Sequence, residues 1–138
     1  MEKTLVLIKP DAMERNLAAI ILSRLEAKGL KLVALKMLHV DSNLAGKHYG
    51  IHREKPFYKD LVDYITSTPI VAAVFSGKDA VAVARQIMGA TNPSKADKGT
   101  IRSDFGQDIQ RNSVHGSDAP QTAEQEIKLF FSPAEVFE

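Results

Sequence analysis

The sequence predicts an α/β sandwich of the α+β kind, with helices packed on a mostly antiparallel four-stranded sheet. Two observations predict it. Four apolar or β-branched runs, at 4–9, 31–40, 69–77 and 112–115, are separated by segments whose apolar residues recur at helical spacing. Three of the runs are apolar enough to lie inside a sheet covered by helices. A chain of 138 residues with a hydrophobic fraction of 44% buries a core without staples, so residues 1–138 are read as one domain.

The elements follow in order. TLVLIK (4–9) is a strand with both faces buried, stopped by Pro10. DAME (11–14) reads as a capping box, with Asp11 as the cap and Glu14 three residues on. Leu17, Ile21 and Leu25, with Ala18 and Leu22, make a helical stripe that Gly29 closes. In 31–40, Val33, Leu35 and Met37 are expected on one face of a second strand and Lys36 on the other. Residues 42–56 are polar and mixed, a short helix and then a loop. Phe57, Leu61, Tyr64 and Ile65 give the next helix. PIVAAVFSG (69–77) is a buried third strand, and Val81, Ala84 and Met88 mark a helix ended by Gly89. Residues 91–110 show no sustained period; a segment that long inside one domain is usually functional or an interaction loop. NSVH (112–115) is a short last strand. TAEQEIKLFF (122–131) is a final helix with Ala123, Ile127, Phe130 and Phe131 inward.

Bulk composition narrows the function. The chain has no cysteine, which excludes disulfides, thiolate metal sites and redox thiols. With 18 basic and 17 acidic residues, the net charge of +1 gives no drive toward nucleic acid or membrane surfaces. The N-terminal apolar run is too short for a secretory signal, and no stretch approaches the roughly 18 apolar residues of a membrane span. A soluble, cytoplasmic protein is expected.

The candidate chemistry centres on RNSVHGSDAP (111–120). His115 ends a strand before a glycine, a place where side chains face a cleft. Imidazole is both a good nucleophile and a good leaving group near neutral pH. Glu126, one helix downstream, is a candidate to accept a hydrogen bond from one ring nitrogen and leave the other lone pair free. His48 and His52 stand four apart, but no acidic residue completes a zinc motif. With His39 they are read as surface or partly buried polar residues. Lys9, Arg85, Arg102 and Arg111, with Thr91 and Asn112, supply what a phosphate chain needs. The sequence contains neither GxxxxGK[ST] nor GxGxxG, so a nucleotide would be held by side chains rather than by a glycine cradle. Phe57 is either a stacking platform or core packing.

NSVHGSD fits the NxxHGSD pattern of nucleoside diphosphate kinases. IKPDA, HYGIHREKPFYKDLV, GATNP and GTIRSDF match the same family in the same order, so the chain resembles it from about Thr4 to Phe131. The resemblance implies a ferredoxin-like βαββαβ sandwich and a ping-pong transfer of the γ-phosphoryl group, typically from ATP, to a nucleoside diphosphate. His115 matches the histidine phosphorylated at Nδ1, Glu126 the glutamate that orients its ring, and Ser117 the serine that supports that glutamate. Lys9 and Tyr49 match groups near the γ-phosphate. Arg85, Thr91 and Arg102 match ligands of the phosphate chain, and Asn112 matches the asparagine on the sugar. Phe57 matches the aromatic that stacks on the base, with Ile109 across from it. Asp118 matches the aspartate near the Mg2+ ion, reached through water. A stacking platform reads no base edges, so broad base and sugar tolerance is expected.

Tyr58 and Lys55 depart from residues frequent in the family, away from the catalytic set. Longer relatives carry a tail that reaches a neighbouring subunit, whereas this chain ends at Glu138. Pro93 matches the proline of the loop that touches neighbours in hexamers, so a hexamer is favoured over a tetramer. Two other classes compete. A hydrolase using His115 or Ser117 as nucleophile is disfavoured, because Ser117 is expected to point away from His115. A non-catalytic regulator or nucleic-acid module on the same fold has no need of Lys9, Arg102 or His115, yet all are present.

Overall fold

The structure, a computed structural model, describes all residues from Met1 to Glu138. The strands are β1 (Glu2–Ile8), β2 (Lys31–Leu38), β3 (Ile70–Gly77) and β4 (Val114–Gly116). The helices are α1 (Pro10–Glu14), α2 (Ala18–Ala27), α3 (Ser42–His48), α4 (Tyr58–Ile65), α5 (Ala80–Met88), α6 (Ile101–Phe105) and α7 (Pro120–Phe130). The sheet order is β2-β3-β1-β4, and each adjacent pair is antiparallel. This is the ferredoxin-like sandwich, with α3 and α4 added between β2 and β3.

Period-two alternation in the central strands divides the core between two faces. Val6 and Ile8 of β1, with Val71, Ala73 and Phe75 of β3, meet Ile21 and Leu25 of α2, Ala80, Ala84 and Met88 of α5, and Ile101 of α6. Leu5 and Leu7, with Ile70, Ala72 and Val74, meet Ala45 of α3, Ile65 of α4, and Phe130 and Phe131 at the end of α7. Each fully buried large side chain contributes about 1.5–3 kcal/mol of transfer free energy. Phe75→Ala, at the centre of the first cluster, is expected to cost about 3–5 kcal/mol.

Several expectations need correcting. Only β1 and β3 are interior; β2 is an edge strand. The even alternation predicted for β2 fails, because the register shifts between Leu32 and Ala34. The bulge turns Val33 and Ala34 both into the second cluster and leaves Leu35 and Met37 exposed on the opposite face. Asp11 is not a helix cap. Pro10 opens α1 with Lys9 in the cap position, and no side chain caps it. The Asp11 carboxylate instead accepts from Ser113 N–H at 3.0 Å and from the Tyr64 hydroxyl. The last strand starts at Val114, because Ser113 takes φ 75° and turns the chain before pairing begins. The aperiodic stretch 91–110 holds a 3₁₀ turn at Pro93–Lys95 and α6, whose five residues are too few to show a period. No helix is long and apolar enough to cross a membrane.

Candidate active site

The site is built where β4 lies beside β1. Leu7 pairs with His115, and Lys9 N–H donates to Ser113 O at 2.9 Å, so the end of β1 and the start of β4 are held together. Ser113 sits in the left-handed region, which costs a non-glycine residue about 1–3 kcal/mol. The Asp11 carboxylate on its N–H offsets that cost and sets the turn that presents His115. Gly116 is closely packed: a Cβ there would lie 2.7 Å from Met88 Sδ, so the end of that side chain would have to shift. The tight approach suggested by the glycine is therefore to the core.

His115 Nε2 lies 3.1 Å from Glu126 Oε2 and 3.3 Å from Oε1. Ser117 is fully buried; its Oγ–H donates to Glu126 Oε1 at 2.7 Å while Oγ accepts from Leu5 N–H at 3.2 Å. Burial alone raises the pKa of Glu126, but hydrogen bonds and charge from His115 and Ser117 outweigh it and leave the carboxyl below its ordinary range. An ionised carboxylate only accepts, so the hydrogen of the neutral ring sits on Nε2 and Nδ1 keeps its lone pair. Ser117 and His115 reach the same carboxylate. The expectation that they point apart is wrong, because residues two apart in an extended segment share a face. Ser117 is also no nucleophile: its proton is committed and no substrate reaches it.

The cations surround this histidine through the backbone. Arg85 Nη1 donates to Gly116 O at 3.1 Å, and Arg102 Nη2 donates to Val114 O at 2.7 Å, so the carbonyls on both sides of His115 are held by guanidinium groups. Arg85 also pairs with Asp118 Oδ1 at 2.9 Å, and Arg102 Nη1 donates to Gly89 O at 2.9 Å. Burial, then the like charge of Arg85, pushes Arg102 down to about 10. Its Nε has no hydrogen-bond partner. Lys9 Nζ donates to Gln110 O at 2.6 Å and Asn112 Oδ1 at 2.9 Å, and Asn112 Nδ2 donates to Thr91 O at 2.9 Å. Burial pushes Lys9 down to about 8; Asp11 opposes this and Arg102 adds to it. Such a cluster of desolvated, mutually repelling cations is stabilised by an anion.

The remaining candidates are further out. Tyr49 lines the cleft beside His115 and is pushed up to about 12 by burial and then by Glu126. Phe57 is 45% exposed with its ring 5.6 Å from that of His52, and Ile109 is 62% exposed. Neither packs into the core, so the core-packing alternative for Phe57 falls. Asp118 is exposed at the cleft mouth. Arg111 pairs with Asp108 at 3.2 Å and joins none of the other cations.

One residue of the site escaped the sequence reading. His48, expected from the sequence among surface or partly buried polar residues, has its side chain buried at the end of α3 with the ring edge-on to His115, centroids 4.7 Å apart. Burial first, then His115, holds it down to about 3, with Glu126 opposing. Its Nδ1 is 3.7 Å from Glu126 Oε2, too far for a hydrogen bond, and the neutral ring forms no ion pair. The available signal was its position beside Tyr49 at the end of a short helix.

A histidine with one free nitrogen, set between backbone carbonyls held by two guanidinium groups on a strand tied to the one that leads into a buried lysine, suits a phosphoryl-transfer enzyme. Comparison with known proteins narrows this. The family model for nucleoside diphosphate kinase matches residues 2–136. The nucleoside diphosphate kinases of Dehalococcoides mccartyi and Methanothermobacter thermautotrophicus are 57% and 55% identical, each over 99% of this chain and over 96% and 91% of their own. The structure of the Halobacterium salinarum enzyme in complex with CDP superposes with a TM-score of 0.96 at 46% identity, covering 99% of this chain and 91% of that one. The Aquifex aeolicus nucleoside diphosphate kinase superposes with a TM-score of 0.95 at 41% identity, covering 98% of both chains. The chain belongs to the nucleoside diphosphate kinase family. Its activity is the family's: transfer of a terminal phosphoryl group from a nucleoside triphosphate to a nucleoside diphosphate, in two half-reactions through a phosphohistidine. The family uses a divalent cation.

Proposed function

We propose that His115 is the phosphorylated residue and that the whole chain works as one catalytic domain. The observation that carries this is the bond from Nε2–H to Glu126, which leaves Nδ1 as the free nucleophile. In the first half-reaction the Nδ1 lone pair forms a bond to the γ-phosphorus. The bond from that phosphorus to the bridging oxygen breaks, and its electron pair leaves with the nucleoside diphosphate. The ring becomes cationic, and Glu126 balances it through Nε2–H. In the second half-reaction a terminal oxygen of the incoming diphosphate attacks the same phosphorus and the ring recovers its lone pair. Phosphoryl transfer of this kind needs positioning and charge neutralisation more than covalent help.

Lys9, Arg85 and Arg102 are assigned to the phosphate oxygens, with Tyr49 and Thr91 beside them and Asn112 on the sugar. Phe57 and Ile109 are assigned to the two faces of the base; their exposure as apolar side chains supports this. Such a clamp holds any base by its face, which supports broad base tolerance with ATP as the typical donor. Asp118 is assigned to Mg2+ through water. A carboxylate beside phosphate oxygens is a hard, all-oxygen donor set, which fits that ion. Bound there, Mg2+ would neutralise charge on the phosphate chain. The test is direct. After incubation with ATP and magnesium and removal of nucleotide, added GDP should yield GTP. His115→Ala should abolish this, and absence of an acid-labile, alkali-stable adduct on the wild type would overturn the assignment.

We also propose a cytoplasmic homo-oligomer, with a hexamer favoured over a tetramer. Leu35 and Met37 on edge strand β2 are 51% and 64% exposed, and Ile20 of α2 is 48% exposed, an apolar edge suited to a second copy. Native mass spectrometry gives the copy number, Met37→Asp should lower it, and cell fractionation tests the location.

A further inference from the structure

His48 has no task in the transfer described above. Its side chain is 2% exposed, and neither ring nitrogen has a hydrogen-bond partner. It does have neighbours of the right chemistry. His48, His115 and Glu126 each offer one ligand atom, all within 4.8 Å of one another. His48 Nδ1 is 3.7 Å, and His115 Nε2 3.1 Å, from the same oxygen, Glu126 Oε2. Tetrahedral zinc with bonds of about 2.0–2.1 Å holds its ligand atoms roughly 3.3 Å apart; the two distances to Glu126 already lie within a few tenths of an ångström of that, and side-chain rotation closes the set of three, whose atoms lie within 4.8 Å of one another. Glu126 Oε1 stays with Ser117 at 2.7 Å and would steady the carboxylate as a metal ligand. The cleft lined by His48, His115, Glu126 and Asp118 admits water for a fourth position.

We propose that His48, His115 Nε2 and Glu126 form a site for a borderline transition-metal ion such as Zn2+, distinct from the oxygen-ligated Mg2+, and that its occupation silences the enzyme. Two imidazoles with one carboxylate suit zinc and not magnesium. The silencing follows from proton counting and rests on the assignment of Nδ1 as nucleophile. A neutral imidazole carries one N–H. A metal on Nε2 takes that lone pair, so the ring hydrogen moves to Nδ1. The ring then has no lone pair to offer phosphorus. Conversely, a phosphoryl group on Nδ1 keeps the hydrogen on Nε2 and closes the site to the metal.

The test uses nucleotide-free enzyme, so that the metal site and the phosphohistidine are read apart. Calorimetric titration with ZnCl2 should give one ion per chain, and Co2+ should give the visible bands of a tetrahedral centre, with excess MgCl2 displacing neither. His48→Ala should weaken Zn2+ at least tenfold. Glu126→Gln, which keeps the side chain's volume, should do the same and serves if the alanine variant does not fold. Enzyme first phosphorylated with ATP and freed of nucleotide should lose Zn2+ binding. Wild type without Zn2+ binding, or folded variants that bind as tightly as wild type, would overturn the site. A wild type that binds Zn2+ but is never phosphorylated would instead overturn the role of His115.

Discussion

Replacing Glu126 by glutamine tests the tautomer on which the chemistry depends. The carboxylate accepts two hydrogen bonds, from Ser117 Oγ–H at 2.7 Å and from His115 Nε2–H at 3.1 Å. Glutamine has one acceptor oxygen and one NH2 group. With its oxygen toward Ser117, the NH2 faces Nε2, which must give up its hydrogen; the hydrogen moves to Nδ1 and the nucleophile is lost. With its oxygen toward His115, the buried Ser117 hydroxyl loses its acceptor, because Oγ already accepts from Leu5 N–H at 3.2 Å. That second arrangement costs about 1–3 kcal/mol of stability, so the first is favoured. In either case the carboxylate's charge no longer faces the ring as it becomes cationic. A hydrogen bond to a charged group is worth about 1.5–3 kcal/mol, which corresponds to a fall of at least about 10- to 150-fold in the phosphorylation rate, and the loss of the Nδ1 lone pair in the favoured arrangement adds to it. Rapid-quench single turnovers with γ-labelled ATP measure that step apart from binding. A rate within about twofold of wild type, or a loss expressed wholly as weaker nucleotide affinity, would refute the reasoning.

Other outcomes follow from the same geometry. His48 is held down to about 3 against an ordinary 6.5, so the unfolded chain takes up a proton there that the native state refuses. Its contribution makes stability fall as pH drops below about 6.5, by at most about 1.4 kcal/mol per pH unit; in urea midpoints between about pH 6 and 5, His48→Asn should flatten the slope. Lys9 is held down to about 8 and loses its charge above that pH, so kcat/KM should decline there, and the decline should vanish in Lys9→Met. Phe57→Ala should raise KM for purine and pyrimidine nucleotides alike, roughly 5- to 150-fold for a stacking loss of about 1–3 kcal/mol; an effect confined to purines contradicts a face-only platform. Gly116→Ala should destabilise by at most about 1–3 kcal/mol, read as a lower Tm, because its Cβ meets Met88 Sδ at 2.7 Å and the buried methionine must shift to clear it.

Much of the fold was legible because local patterns and burial agree. The apolar runs of β1 and β3 are continuous because both faces are covered, and the stripes of α2, α4, α5 and α7 match the helices formed. Where the reading of the chain failed, a distant partner overrode a local preference. Asp11 sits in a capping pattern, but the strained Ser113 turn, 102 residues away, offers its carboxylate a stronger use. Val33, Leu35 and Met37 alternate as a strand should, but the bulge against β3 sends Val33 to one side and the other two to the opposite side. His48 shows no metal or catalytic spacing because its neighbours, His115 and Glu126, come from β4 and α7.

The order of motifs along the chain was enough to determine the family and the list of side chains able to hold a nucleotide. Residue types and their spacing persist whether or not the chain is folded. Tertiary structure alone decided which nitrogen of His115 is free, that two guanidinium groups hold the carbonyls beside it, and that a second imidazole, that of His48, faces the same carboxylate. The physical reason is that each of these depends on distances across the sheet between residues far apart in sequence. Hydrogen-bond direction and desolvation, which set the chemistry, exist only once those distances are made.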